Sequence, residues 1–207
     1  MRKIDHIVYS VPDLEAAIID LEKRLGVPIQ SGGRHLNKGT KNAVLNLGNS
    51  CYLEILAADE SNTDIAPPRW MGVDLIDQAQ MTRWCIKSDD LNKDGQILQN
   101  INPALGQQWN GERQLQNGDF LRWKMNLPLA TPAVDVLPFM CDWSNTAVHP
   151  TEQLVENCEL IAMRFYHPKP ESIQPYFNAL QVEIKIAYAK EERIEADIKC
   201  PNGIITI

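Results

Sequence analysis

Residues 3–14 read Lys-Ile-Asp-His-Ile-Val-Tyr-Ser-Val-Pro-Asp-Leu, and residues 80–91 read Gln-Met-Thr-Arg-Trp-Cys-Ile-Lys-Ser-Asp-Asp-Leu. Each stretch is an apolar run that passes through an Asp-containing turn into a helix start, so the chain says one thing twice. Aligning the copies sets His6 of the first against Arg83 of the second. Working outward from the first copy, residues 4–11 form a strand by β-branched content. Pro12-Asp13 opens a helix with Leu14, Ala17, Ile18, Leu21 and Leu25 on one face, and Gly26 stops it. A weak strand at 28–31 leads into Gly32-Gly33-Arg34-His35, read as a turn-rich loop that ends at Gly39. Residues 42–47 and 51–57 are then two strands joined by Gly48-Asn49-Ser50. The order is βαβββ.

The second copy continues in the same order. A helix covers 90–100, Pro103-Ala104-Leu105-Gly106 breaks the chain, strands at 107–113 and 120–127 flank an Asn117-Gly118 turn, and 134–143 is the closing strand. From Glu159 a shorter cycle follows, with a strand at 160–166, a helix at 170–180 and strands at 184–189, 194–199 and 203–207. The expected organisation is α+β: a first unit over 1–58, a polar linker over 59–80, a second unit over 81–158 and a βαβββ-like C-terminal extension over 159–207. Two such units imply a pair of half-sheets rather than two independent domains. The extension carries no His or acidic residue at the matching strand positions, which suits packing or the interface of a homodimer.

Composition narrows the function. A net charge of −7 argues against a general nucleic-acid binder, which needs clustered Lys and Arg. No run of 18 apolar residues suggests a membrane span, and the N-terminus lacks a signal-peptide layout, so a cytoplasmic location is the expectation. The five cysteines show no CxxC pair and read as reduced core thiols. Neither a dinucleotide-binding glycine pattern nor a nucleophile elbow is present.

Asp5 to Ala17, Gly32 to His35, Gly39 to Ala43, Leu47-Gly48, Tyr52-Leu53-Glu54, Leu137-Pro138-Phe139, Asp142-Trp143 and His149-Pro150 occur in an order that resembles the vicinal oxygen chelate superfamily, and more closely its glyoxalase-like branch. The resemblance implies a glyoxalase/bleomycin resistance/dioxygenase fold, in which two βαβββ units form a cupped mixed sheet. The first and fourth strands of each unit send one side chain into the cup, where imidazoles and carboxylates hold a divalent metal with open positions for a substrate's neighbouring oxygens.

Carried over to this chain, the resemblance implies His6 and Glu54 from the first unit. In the second, Arg83 takes the first-strand place and cannot be a ligand because it stays protonated. The fourth-strand place falls on Cys141 or Asp142, only one of which can face inward. Asp142 is preferred, because a buried aspartate would find a partner in Arg83. Two arrangements stay open. His6, Glu54 and Asp142 could serve as ligands of Zn, Mn, Ni or Fe and as the catalytic groups. Alternatively, Asp142 pairs with Arg83, which also meets a ligand's carboxylate or phosphate, and His6 with Glu54 acts as an acid/base dyad.

Further candidates for substrate contact are His35 on the glycine-rich loop, Thr40 and Asn42 with equal parity on the next strand, His149 at the mouth of the cup and Trp143 in an apolar wall. The implied activity is binding of a small oxygen-rich organic molecule with an anionic group, and its processing by a metal-assisted isomerase or lyase. Iron would instead suit ring-cleaving dioxygenase chemistry. The alternative from another class is a non-catalytic protein that sequesters such a molecule.

Overall fold

The repeated Asp-containing turn does the same job in both copies. Asp13 accepts from the Ala16 backbone N–H at 2.9 Å and starts α1 (Leu14–Leu25), and Asp90 accepts from the Lys93 N–H at 3.0 Å and starts α2 (Leu91–Gln99). These are N-caps in a computed structural model of the chain, which describes residues 2–115, 117–131, 133–146 and 148–207. The first unit comprises β1 (Ile4–Ser10), α1, β2 (Gln30–His35), β3 (Thr40–Asn46) and β4 (Tyr52–Ala58). After a 3-10 turn over Trp70–Leu75, the second comprises β5 (Gln80–Lys87), α2, β6 (Gln108–Gln114), β7 (Phe120–Asn126) and β8 (Phe139–Asp142).

Within each unit the fourth strand runs parallel beside the first, β4 on β1 and β8 on β5. The units meet twice, through an antiparallel β1–β5 pair and through β2–β6 at Arg34 and Gln114, so the eight strands close into a ring ordered β1-β4-β3-β2-β6-β7-β8-β5. Closure explains a departure from expectation. Residues Gly32 to His35 lie in β2 rather than in a loop. Gly33 has φ 139°, and a Cβ there would stand 2.0 Å from the Gln114 carbonyl oxygen, so the seam needs a residue without a side chain.

The closing strand is shorter than the expected 134–143. Pro138 has no N–H to give a ladder, and the Val136 and Leu137 N–H groups donate to the Glu192 and Asp135 carboxylates at 3.1 and 2.9 Å. Pairing therefore begins at Phe139. The expected Asn117-Gly118 hairpin joins β6 to β7 through Leu115 and Asp119, with residue 116 outside the described set.

The ring is buried on both faces, which accounts for the near-continuous apolar character of β1, β4 and β5. Val8, Leu56, Cys85, Trp123, Met125, Phe139 and Cys141 pack together on the inside, while Ile7, Leu53, Ile55, Trp84, Ile86 and Met140 pack outward. The extension, β9 (Glu159–His167), α3 (Pro170–Ala179), β10 (Ile186–Tyr188), β11 (Arg193–Cys200) and β12 (Gly203–Thr206), does not lengthen the first sheet. It forms its own four-stranded sheet, ordered β10-β9-β11-β12, against the outer face. Trp84 from β5 is the anchor, with its ring centroid 4.6 Å from Phe165 and 5.7 Å from Phe177 and its indole N–H on the Val136 carbonyl at 2.8 Å. Among the described residues no helix is long and apolar enough to cross a membrane.

A Gly33→Ala variant must shift β6 away from β2 or hold a left-handed strain, and should lose about 1–3 kcal/mol. The check is the midpoint of urea unfolding followed by tryptophan fluorescence; an unchanged midpoint would show that the β2–β6 seam is loose.

Candidate functional site

The parallel β1–β4 pair sets His6 opposite Tyr52 and Val8 opposite Glu54. Both His6 and Glu54 turn into the ring, where they are 4% exposed. His6 Nδ1 lies 2.6 Å from Asp5 Oδ1. An ionised carboxylate only accepts, so this nitrogen carries a proton, which leaves Nε2 as the nitrogen that points away from Asp5. That Nε2 faces Glu54 Oε2 at 3.8 Å.

Strict alternation would send Asp5 to the opposite face from His6. The β1–β5 register slips between Ile4 and His6, and the fully buried Asp5 carboxylate lies beside the imidazole. Its other oxygen accepts from Trp143 Nε1 at 3.0 Å and from His149 Nε2 at 3.1 Å, and Lys87 Nζ stands at 3.9 Å. Burial pushes the Asp5 pKa up, but the hydrogen bonds from His149 and His6 and their charges outweigh it and hold it at about 2. Trp143 and His149, expected at the wall and mouth of the cup, are thus joined to His6 through Asp5.

Glu54 is held from the other side. Asn42 Nδ2 donates to Glu54 Oε1 at 2.5 Å, and His35 Nε2 stands 3.9 Å from the same oxygen. His35 is buried at the end of β2 rather than on a glycine-rich loop, and its Nδ1 meets Thr40 Oγ1 at 3.0 Å across the β2–β3 pair. Burial first, then the positive charge of Arg113 and that of His6, drive the His35 pKa well below the usual imidazole range, so the ring is neutral. Arg113 arrives from β6 in the other half, with Nη1 3.4 Å from Asn42 Oδ1. Gly32 makes room for this contact, since a Cβ there would stand 2.2 Å from Asn42 Oδ1 and 2.9 Å from Arg113 Nη1.

These groups surround a cavity with aromatic walls. His6 stacks on Tyr52 at 4.6 Å, Trp123 lies 5.2 Å from Trp143, and Trp70 meets His35 edge-on at 4.9 Å. The free interior is about 10 Å³, room for about one water. It adjoins an outer groove of about 610 Å³ that shares Arg113, Leu121 and Pro150 and has His149 on its wall. Two buried donors at the cavity lack partners among the described residues, Arg113 Nε–H and Trp70 Nε1–H.

Two expected residues stand elsewhere. Cys141 lines the cavity and Asp142 does not: β8 alternates, so Phe139 and Cys141 point in while Asp142 is half-exposed and accepts from the Ser144 N–H at 2.8 Å. Nor does Asp142 pair with Arg83. Arg83 lies deeper along β5, opposite Val8, with Cys85 opposite His6. Its guanidinium donates to the Thr82, Ala133 and Leu129 carbonyls at 2.8, 3.0 and 3.2 Å. The arginine at the cavity is Arg113, in a Gln-rich strand with no pattern to mark it. Asp5 was hidden by the alternation rule, and Cys85 read as core.

The metal set His6, Glu54 and Asp142 therefore does not converge, because Asp142 turns away. Among the described residues, the side chains whose ligand atoms all lie within 4.8 Å of one another are Asp5, His6, Cys85 and Cys141.

Paired βαβββ units closed around inward-facing groups on their first and fourth strands define the vicinal oxygen chelate fold. Residues 4–180 match the glyoxalase-like domain family, and the chain belongs to it. Across its whole length it superposes on a hypothetical protein from Staphylococcus aureus, with TM-score 0.68, 13% identity and 98% of that chain covered. Methylmalonyl-CoA epimerase from Mycobacterium tuberculosis matches over 67% of this chain and 86% of its own, at TM-score 0.41 and 17% identity. A Streptomyces coelicolor methylmalonyl-CoA epimerase variant in complex with 2-nitronate-propionyl-CoA matches over 72% of this chain and 99% of its own, at TM-score 0.44 and 15% identity. No curated protein sequence matches the chain significantly.

Asp5→Asn would leave three donors facing a single acceptor oxygen, and should cost about 1–3 kcal/mol at neutral pH. The Asp5 pKa is about 2 when folded against an ordinary 3.8, so its carboxylate stabilises the fold fully above the ordinary value and loses that contribution as pH falls through about 2. Urea unfolding at several pH values should show the gap between wild type and variant at its widest near neutrality and narrowing below about pH 4; a constant gap would assign the loss to packing alone.

Proposed function

We propose that the chain is an acid–base enzyme of the isomerase or lyase kind, which removes a proton from carbon beside the carbonyl or carboxylate of a small organic anion. The observation that carries this reading is the buried Glu54 carboxylate in the cavity, with Asn42 on one oxygen and His6 Nε2 facing the other. A carboxylate so placed is a base with a fixed plane. His6, oriented by Asp5, is the second acid/base group and can hold or return the proton at Nε2. Arg113, from the opposite half of the ring, brings positive charge to the oxyanion that develops when the proton leaves. The unpartnered Arg113 and Trp70 N–H groups are donors that a ligand oxygen would satisfy. Neutral His35 adds no competing cation, and the aromatic walls keep water from the base.

Since the interior holds about one water, a substrate enters from the Arg113–Leu121–Pro150 side by moving wall side chains. His6, Glu54 and Asp142 do not fit a divalent metal as one ligand set, because Asp142 is not at the cavity. The second reading, a sequestering protein, is favoured by the same aromatic walls, which would hold a flat ligand by stacking alone.

One experiment separates the two. Small 2-oxo and 2-hydroxy carboxylates and thiol adducts of 2-oxoaldehydes are incubated with the protein in deuterated water, and exchange at the acidic carbon is followed by proton NMR. Wild type should exchange at least one of them, Glu54→Gln should be slower by about 10²–10⁴-fold, and Arg113→Leu should lower kcat more than it raises KM. A ligand that binds tightly to wild type and to Glu54→Gln, with no exchange by either, would establish the sequestering protein instead.

A further inference from the structure

Far from the cavity, two free cysteines meet where β9 begins and β11 ends. Glu159 pairs with Lys199, so one step further along the antiparallel ladder Cys158 stands opposite Cys200. The ladder stops there because Pro201, the next residue of that strand, has no N–H to give. The kind of pair follows from Leu160, whose N–H is spent on the Leu47 carbonyl at 3.1 Å, away from β11. Backbone direction alternates along a strand, so Glu159 turns to β11 and Cys158 turns away again. On the other strand Cys200 closes the two-residue Pro201-Asn202 turn with Gly203, and its backbone faces β12. A cross-strand pair without backbone bonds between its members has its Cα atoms about 4.5 Å apart and its side chains close together. That separation lies in the range of about 4.4–6.8 Å that a disulfide spans. Both side chains belong to the core under the C-terminal sheet, at 5% and 9% exposure. Unlike Cys85 and Cys141 they open to the surface, lining a groove of about 390 Å³ with Glu156, Glu159, Lys199 and Pro201.

We propose that Cys158 and Cys200 are a redox modification site, oxidised to an intramolecular disulfide by a small-molecule disulfide that enters through this groove. One cysteine thiolate attacks the oxidant's S–S bond, forms a mixed disulfide and expels one thiolate. The second cysteine then attacks the protein sulfur of that mixed disulfide, closes the Cys158–Cys200 bond and expels the other. Two electrons pass from the cysteines to the oxidant, and the two thiol protons end on the two released thiols. Burial, and after it the charge of Cys200, push the Cys158 thiol up to about 11, so the reacting thiolate is populated towards alkaline pH. The bond would act on the groove beside the cavity. Cys158 ends a strap that starts at His149, carries Pro150 and Leu154 of the groove wall, and is held by Asn46 Nδ2 on the Thr151 and Leu154 carbonyls at 3.2 Å each. Cys200 precedes Asn202, which donates to the Lys23 and Arg24 carbonyls at the end of α1 at 3.1 and 3.2 Å. Oxidation ties the strap to that anchored turn. Neither thiol lines the cavity, and the inference is independent of the acid–base reading.

The probe is oxidised glutathione, given in excess to the folded full-length protein at about pH 8.5. Remaining thiols are alkylated in denaturant and the unreduced peptides are mapped by mass spectrometry. The expected result is one linked pair of peptides carrying Cys158 and Cys200, with Cys51, Cys85 and Cys141 alkylated, and reversal by dithiothreitol. The oxidised protein should unfold at higher urea than the reduced protein, and amide exchange over 149–158 should slow by about tenfold. Cys158→Ser and Cys200→Ser should each stop at the glutathione adduct of the remaining cysteine and show no shift in urea. The mapping of wild type needs no variant to fold. A Cys85–Cys141 link, glutathione adducts without a link, a link that forms only after urea has unfolded the chain, or five unreacted thiols in the folded protein would overturn the assignment.

Discussion

One buried carboxylate ties the two halves of this protein to the cavity inside its ring of strands. Asp5 accepts from His6 in its own strand and from Trp143 and His149, which follow the last strand of the second unit. Desolvating that charge is costly, and the cost is offset by three donors, the buried His6 and the half-buried Trp143 and His149. The same bonds keep a proton on His6 Nδ1, fix its ring plane and place Trp143 and His149 beside the mouth of the cup. Without Asp5 neither the direction of His6 Nε2 nor the position of the Trp143 wall would be set.

The ring around this centre follows from a second constraint, that eight strands must close with both faces covered. Outward-facing Ile, Leu and Trp side chains demand cover, and the helices and the C-terminal sheet provide it through Trp84, Phe165 and Phe177. Inward-facing positions are then free for chemistry. They divide between a first half that supplies imidazole, carboxamide and carboxylate, and a second half that supplies sulfur, aromatics and one arginine. Closing the ring at β2–β6 puts Arg113 next to Asn42, so the Arg113 guanidinium and the Glu54 carboxylate come from opposite halves and meet at one cavity only when the glycine seam is in place.

Much of this was legible in the residues. The two Asp-containing turns announce two helices in matching contexts, and both aspartates are N-caps because a carboxylate before a helix satisfies free N–H groups wherever it occurs. His6 and Glu54 come together because parallel β1–β4 pairing follows from the βαβββ order. Asn42, His35 and Thr40 lie on adjacent strands of that same unit, so local pairing suffices to gather them. Arginine was misplaced for a physical reason: Arg83 and Arg113 are both on strands, and only the ring's closure decides which reaches the cavity and which is held by the Leu129 and Ala133 carbonyls.

The sequence by itself determined the repeated units, their α+β class and the first-half residues of the site, since these depend on periodicity, caps and neighbouring strands. Only the tertiary structure decided the rest. Parity along β8 depends on where its pairing begins, so Cys141 rather than Asp142 faces inward. Asp5 reaches its partners through an irregular register that alternation cannot foresee, and the company of Cys85 and Cys141 with His6 exists only across the β1–β5 junction. Such contacts join residues far apart in the chain, and their geometry is set by ring closure and burial rather than by any local pattern.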